Sequence, residues 1–401
     1  MANFIKLMAG KRLKITMAVA EYNPFHNGHQ IHLDKMKSLG ADLNAVILSG
    51  DFCQRGEPAI CDKYTRAVHA VRAGADVVFE LPTVFAVGPA EVFAKGAIAL
   101  LDSLPGDKTL CFGTETGTEA DFLQIASLLT QETEPFKNAL KESLGRGEPF
   151  ALARQFALSK IVGEDKAQLL STPNNALGIE YVKALIAKNS KTKIYPIYRN
   201  TGYNDVALCG EVCSATAIRT AISDGKLNKT AKFVPEFVFK DLPKTLPSVD
   251  KLALFRVLEA SKRELKAVID CTEGLENRIK EKALDATTLK DFIDALETKR
   301  YTRARLNRIV TANMLGITKE FTEKCLKSGL YLKVLAIAQD KLNMLAGLQG
   351  GRHRLITRQS DVSLLSGVAK ACYEKDLYAQ QIGGLARNSL QKNTKMIIVK
   401  R

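Results

Sequence analysis

Between residues 15 and 199, short apolar runs alternate with helical patterns at a spacing that admits few folds. Residues 15–20 are apolar and partly β-branched, as a strand buried on both faces requires. The same reading gives strands at 43–49, 76–81, 109–113 and 194–199. Between them lie helices at 31–40, 63–73 and 91–101, with a further one running through Leu129. Strand–helix alternation at this interval predicts an α/β chain built on a doubly wound parallel sheet. In such sheets ligands sit beyond the carboxyl ends of the strands.

At 401 residues the chain exceeds what one core usually supports, so two domains are expected. The sheet belongs to 1–230. Pro235, Pro243 and Pro247 mark a linker, and 231–401 reads as a mostly helical domain. Its helical patterns fall at 249–268, 274–284, 288–298, 302–315 and 360–373, closed by short strands at 331–336 and 355–357. Residues 131–170, helical and polar, read as an insertion lying over the site. No apolar run reaches the length of a bilayer span, and residues 1–14 lack the apolar centre of a signal peptide, so a cytoplasmic location is expected. The eight scattered cysteines include no Cys-x-x-Cys pair, which fits reduced thiols better than disulfides or zinc. Charge is unevenly divided: residues 231–401 hold 32 Lys and Arg against 19 Asp and Glu, most of the chain's net +15. A positive field of that kind suits a polyanion such as RNA.

Three of the five histidines, His26, His29 and His32, fall within seven residues directly after the first strand. Pro24 and Asn27-Gly28 punctuate the pattern there, and a helix follows. A helix beginning at that point aims unpaired N–H groups and the positive end of its dipole above the strand, where phosphate is the natural occupant. Gly28 permits close approach because it has no Cβ. His26 and His29 can donate hydrogen bonds to an α-phosphate whose charge rises during attack. Ordinary capping is the plainer role for one such histidine. The i, i+3, i+6 spacing also suits a metal, but no cysteine is near and the His-Glu-x-x-His pattern is absent, so no metal site is expected.

Other candidates lie at the same rim. The loop with Asp51, Gln54 and Arg55 offers a guanidinium and an amide to a phosphate or carboxylate substrate, with Asp51 a further substrate or magnesium ligand. An internal Arg-Glu pairing would explain the same loop without a ligand. Gly113 to Gly117 follow the fourth strand and border the adenine or ribose position. Asn174 or Asn175 caps the helix that follows. Arg199 ends the fifth strand. Ser214 and Thr216 can cap the next helix, with Arg219 pointing back one turn. In the tail, Lys299, Arg300, Arg303, Arg305 and Arg308 supply five cations in ten residues, few acids lie nearby in sequence, and Tyr301 is interleaved. That stretch reads either as a solvated charged face or as an RNA backbone contact. Arg352, His353, Arg354 and Arg358 form a second basic cluster.

The string Glu21-Tyr-Asn-Pro-Phe-His-Asn-Gly-His29, followed by Ser49-Gly-Asp-Phe-Cys-Gln-Arg-Gly-Glu-Pro58, resembles the bacterial tRNA(Met) cytidine acetate ligases along nearly the whole chain. His26-Asn27-Gly28-His29 resembles the (H/T)xGH signature of the nucleotidyltransferase superfamily, and 214–219 resembles the second phosphate-binding element of adenylyltransferases. The resemblance implies a HIGH-type, Rossmann-like nucleotidyltransferase domain followed by a basic tRNA-binding one. It implies ATP contacts at Val19, Ala20, Glu21, Tyr22, Asn23, Pro24, Phe25, His26, Asn27, Gly28, His29, Gln30, Ile31 and His32, and at Gly113, Asn174, Arg199 and Asn200. Ser214, Thr216 and Arg219 would meet the β- and γ-phosphates. It implies acetate, ATP and elongator tRNA(Met) as substrates, with Mg2+ on the triphosphate. The reaction would form acetyl-adenylate and pass the acetyl group to N4 of the wobble cytidine, position 34. The alternative is a small-molecule adenylyltransferase of the pantetheine-phosphate or nicotinate-mononucleotide type, which uses the same histidine turn and leaves the basic tail unexplained. A class I aminoacyl-tRNA synthetase would need a Lys-Met-Ser-Lys-Ser loop, which the sequence lacks.

Overall fold

In the computed structural model, which describes residues 12–199, 212–349, 351–389 and 395–401, the expected strands form one sheet. β1 (Lys14–Ala20) lies between β2 (Leu43–Ser49) and β4 (Asp107–Thr114), β3 (Val77–Leu81) flanks β2, and β5 (Lys193–Tyr198) flanks β4, all parallel. The direction of winding therefore reverses between β1 and β4, the point at which an open α/β sheet leaves a crevice. Alternate side chains feed two cores. Ile15, Met17, Ala45, Ile47, Val77 and Phe79 enter one, and Ala18, Val46, Leu48 and Val78 the other. The first core is covered by α3 (Ala90–Leu101), α4 (Glu119–Thr130) and α7 (Pro173–Ala187). The second is covered by α1 (Asn27–Ser38), α2 (Lys63–Ala73) and α8 (Ala215–Ser223).

Residues 131–170 form α5 (Glu134–Gly145), α6 (Phe150–Val162) and a short helical continuation. None of them lines the crevice, against the expectation of an insertion lying over the site. Arg154 of α6 instead pairs with Glu180 of α7 at 2.9 Å, holding the segment to the flank.

The tail is helical from α9 (Asp250–Glu259) through α10 (Lys262–Ala267), α11 (Leu275–Ala283), α12 (Leu289–Leu296) and α13 (Arg303–Leu315) to α14 (Lys319–Lys327). The single helix expected over 249–268 is broken at Ala260, which is extended. Ser261 there caps α10, and Glu264 closes a capping box that competes with continuation. Two further differences concern the sheet. β6 (Tyr331–Ala338) is not a local closure of the tail: it pairs antiparallel with β3, carries β7 (Arg354–Ile356) and β8 (Ile397–Val399), and so extends the sheet across the boundary expected at residue 230. All eight of its residues are buried, which a strand of a local hairpin would not need. The last helix, α15 (Gly367–Ala386), runs well past 373 and packs on the turn after β3.

Burial of Lys333 on β6 is tolerated because Glu80 of β3 lies 3.1 Å from it, and Glu80 also meets Lys63 of α2 at 2.5 Å. The two ammonium groups hold the Glu80 carboxyl below its usual range against the opposing effect of burial.

Candidate active site

A cleft opens at the β1/β4 reversal, lined by the end of β1, the α1 turn, Gly113, Asn174, Arg199, the 53–57 loop and the start of α8. His26 caps α1: its Nδ1 accepts the Gly28 N–H at 3.0 Å, and His29 Nδ1 lies 3.3 Å from the His26 N–H, closing a capping box made of two imidazoles. The rings stack with centroids 3.7 Å apart, and Tyr22 meets the His29 ring edge-on. Because each Nδ1 is an acceptor, each proton must sit on Nε2 when the ring is neutral. Neutrality is favoured here. Burial, then Arg199 and Arg219, lower the His26 pKa to about 3, while burial and the neighbouring His26, Arg199 and His32 push His29 well below its ordinary value. Burial and Arg199 bring His32 to about 4. The turn thus presents neutral N–H donors with fixed tautomers beside a helix N-terminus, an arrangement that favours an incoming anion without carrying a charge beforehand.

A second helix start faces it. Ser214 caps α8 by accepting the Ala217 N–H at 3.0 Å, and Arg219 bonds the Asn23 carbonyl at 2.7 Å, tying α8 to the histidine turn. Arg219 also lies 3.4 Å from the Thr216 hydroxyl and 3.7 Å from Glu57. Arg199 crosses the end of β4 so closely that a Cβ on Gly113 would come within 2.9 Å of its side chain and displace it. Its guanidinium lies 3.4 Å from the Asn174 amide oxygen.

Several expectations change at this scale. Neither Asn174 nor Asn175 caps α7, since Thr172 occupies that position and Pro173 begins the helix. Asn175 is instead buried and locks the loop after β4, its Oδ1 accepting from the Thr114 hydroxyl and the Glu115 N–H at 2.5 and 3.0 Å, while Asn174 faces the cleft and donates to Glu115 at 2.5 Å. Asp51 is turned inward, paired with Arg387 at 2.6 Å and 3.6 Å from Lys63. Its carboxylate is held by the protein rather than offered to substrate or magnesium. Val19, Ala20, Glu21, Tyr22, Asn23, Gly28, Ile31 and His32 line the cleft, but Pro24, Phe25, Asn27 and Gln30 do not. Phe25 is fully buried in the core, Asn27 bonds the Lys232 carbonyl, and Gln30 the Ala73 carbonyl. Asn200 lies outside the described residues.

Gln54 and Arg55 reach the cleft on a loop held from both sides. The Gln54 N–H bonds Glu21 Oε1 at 2.6 Å, and Thr311 of α13 donates to the Gly56 carbonyl at 2.7 Å. Arg66, fully buried, spends its guanidinium on the carbonyls of Glu21, Gly50 and Cys61, bracing turn and loop together. Glu21 itself is raised above the usual carboxylate range by burial. Sequence reasoning missed the apolar wall formed by Phe93, Leu177 and Tyr181, because its residues sit one per turn on helices whose pattern looks like ordinary core.

The basic strip of the tail is not an uncompensated one. Arg300 meets Glu273 at 2.9 Å, Arg303 pairs with Asp294 and with Glu297 at 2.8 Å, Arg305 bonds the Asp270 carbonyl and Thr272, and Arg308 pairs with Asp270 at 3.1 Å. Asp270 and Glu273 lie on an earlier loop, Asp294 on α12 and Glu297 at its end, so the window 299–308 contains none of them. Lys299 is exposed, with no carboxylate partner among the described residues.

Two helix N-termini converging on a cleft at the reversal point, one of them capped by the paired histidines, define a nucleotidyltransferase site. The chain belongs to the HIGH nucleotidyltransferases: the profile described as HIGH Nucleotidyl Transferase matches residues 13–396. Within that class it falls among the tRNA(Met) cytidine acetate ligases. It is 36% identical to the one from Caldanaerobacter subterraneus over 92% of this chain and 94% of the relative, and 35% identical to the one from Fervidobacterium nodosum over 84% and 82%. Its structure superposes on ligand-free Thermotoga maritima TmcAL with a TM-score of 0.90 at 27% identity, covering 97% of this chain and all of the other. On the same protein bound with alpha-thio ATP the TM-score is 0.87 at 26% identity, with the same coverage.

Proposed function

We propose that the protein is an ATP-dependent ligase that activates acetate as acetyl-adenylate and transfers the acetyl group to N4 of cytidine 34 in elongator tRNA(Met). The observation that carries this is the imidazole pair: two neutral rings whose Nδ1 atoms are held by the turn, leaving Nε2–H for the ligand. In the first step an acetate oxygen attacks the α-phosphorus, the bond to the β-phosphate bridging oxygen breaks, and pyrophosphate leaves. His26 and His29 donate to the α-phosphate oxygens as charge accumulates on them. The N-terminus of α8, with Ser214, Thr216 and Arg219, receives the β- and γ-phosphates, Arg199 adds charge across the cleft, and Gln54 and Arg55 orient the acetate carboxylate.

Magnesium would enter with the triphosphate as MgATP and would supply charge to the phosphates. Among the described residues no cluster of three or more His, Cys, Asp or Glu side chains is placed to hold a metal ion. In the second step the cytidine amine attacks the acetyl carbonyl and AMP leaves. The tRNA is met by the basic C-terminal half. Within the 299–308 strip Lys299, Arg300 and Arg303 are exposed, and the two arginines are held by carboxylates. Among the described residues no helix is long and apolar enough to cross a membrane.

The test incubates the purified protein with ATP, carbon-labelled acetate and elongator tRNA(Met). Label on cytidine 34 with stoichiometric AMP release is expected. Transfer of AMP itself to a phosphorylated small acceptor, without label in RNA, would refute the reading in favour of a small-molecule adenylyltransferase.

A further inference from the structure

Arg300, Arg303, Arg305 and Arg308 each lie beside a carboxylate, whereas other cations of the C-terminal half are less compensated. Three of them line a second cavity of about 720 Å3, bounded by the turn before β6, by residues 351–358 and by the start of α15. This cavity shares no residue with the cleft described above. Three guanidiniums line it. Arg354 is exposed, and its side chain has no carboxylate partner among the described residues. Arg358 lies 3.2 Å from Asp361, but that carboxylate also accepts from the Thr357 N–H, the Thr357 hydroxyl and the Arg358 N–H at 2.9, 3.0 and 3.1 Å. It is the one acid on the wall, shared among four donors. Arg352 donates to the Lys327 carbonyl at the end of α14 and so is anchored in place.

His353 is not a fourth cation. Its Nδ1 accepts the Leu330 N–H at 2.9 Å, its Nε2 lies 3.1 Å from the Ala99 carbonyl, and burial lowers its pKa to about 4. It braces the wall that carries the arginines. On the opposite side Ser366 caps the 20-residue α15 without a side-chain bond, and the first turn contains no acid, so the unpaired N–H groups of a long helix add to the field.

We propose that this cavity holds a backbone phosphate of the tRNA, a docking point separate from the site of chemistry. The inference rests on the tRNA-ligase reading and names where that partner is gripped. Three guanidiniums against one carboxylate leave a net positive site for a monoanionic phosphodiester, and Arg354, with its fork of donors, is the group best placed to bond its oxygens. The recess is large enough to take the phosphate with its sugar, in the range that encloses a drug-sized ligand.

The experiment compares wild type with the double variant Arg354→Glu, Arg358→Gln. The readouts are affinity for an elongator tRNA(Met) transcript at several salt concentrations, affinity for inorganic tripolyphosphate, and acetate-dependent AMP release without RNA. We expect tRNA affinity to fall about tenfold and the salt dependence to flatten by about one to two ions, with AMP release unchanged. Unaltered tRNA affinity and slope overturn the proposal, as does a loss confined to tripolyphosphate, which would mark a site for free polyphosphate. If the double variant also loses AMP release, Arg354→Gln alone, at an exposed side chain, gives the same decision. Wild-type protein that binds no tRNA would instead overturn the ligase reading itself.

Discussion

Replacing Gly56 with alanine tests how the loop that carries Gln54 and Arg55 is held. Gly56 has φ +73°, in the left-handed region, and a Cβ built there would lie 2.4 Å from Asn307 C, 2.5 Å from Arg308 N and 2.6 Å from Asn307 O. All three atoms are backbone of α13, so no side chain can swing away. The conformational cost for a non-glycine residue is about 1–2 kcal/mol, and forcing an extra carbon into a packed contact costs about 1–3 kcal/mol. A combined cost of about 2–5 kcal/mol is a large part of ordinary folding stability. Gly40→Ala is the control: φ is +66°, but no atom lies within 4 Å of the added carbon, so only the conformational cost of about 1–2 kcal/mol applies. Denaturant unfolding and acetate-dependent pyrophosphate exchange should separate the two. Gly56→Ala should be clearly less stable than Gly40→Ala and should raise KM for acetate, because lifting the loop withdraws the Gln54 N–H from Glu21. Equal stability of the two variants, with exchange unaffected, would refute the contact between loop and helix.

Thr311→Val, which removes the donor to the Gly56 carbonyl, should cost about 1 kcal/mol by the same unfolding assay, more if the carbonyl stays dry. Glu80→Gln leaves Lys63 and Lys333 buried without their shared counter-charge, and a loss of about 3–5 kcal/mol is expected in chemical denaturation. The histidine turn makes stability depend on pH. His26 binds a proton near pH 3 when folded and near its ordinary value when unfolded, so stability is intact above pH 6.5 and declines as pH falls towards 3, by about 1.4 kcal/mol per pH unit. His26→Asn should remove that share of the slope in pH-dependent melting, and saturating ATP, whose phosphates favour the protonated ring, should reduce it in the wild type. His29→Ala should abolish AMP release while leaving tRNA affinity within twofold or so, since the RNA is gripped elsewhere.

Much of the architecture could be read from local pattern. The five parallel strands and the helices between them are set by apolar period and by turn residues close in sequence, and the histidine turn is a contiguous string whose function depends on its own backbone. What escaped depends on partners far along the chain. β6 joins β3 across more than 250 residues, and its eight buried positions read as a short closing strand until a neighbour is known. Asp51 looked like a ligand on the rim because Arg387, which claims it, lies 336 residues away. The arginines of α13 and the turn before it looked unopposed because Asp270 and Glu273 reach them from another loop. Asn174 and Asn175 are chemically alike and adjacent, and only the geometry of Thr172-Pro173 decides that neither is the cap.

The central claim is that His26 and His29 face the nucleotide as neutral rings protonated on Nε2. Nitrogen-15 NMR of histidine-labelled protein at pH 7, recorded with and without a nonhydrolysable ATP analogue, measures this directly. Both rings should show a protonated Nε2 and an unprotonated Nδ1 in the free protein, and the Nε2–H signals should shift on binding. A proton on Nδ1 in either ring, or Nε2–H signals that ignore the nucleotide, would contradict the account.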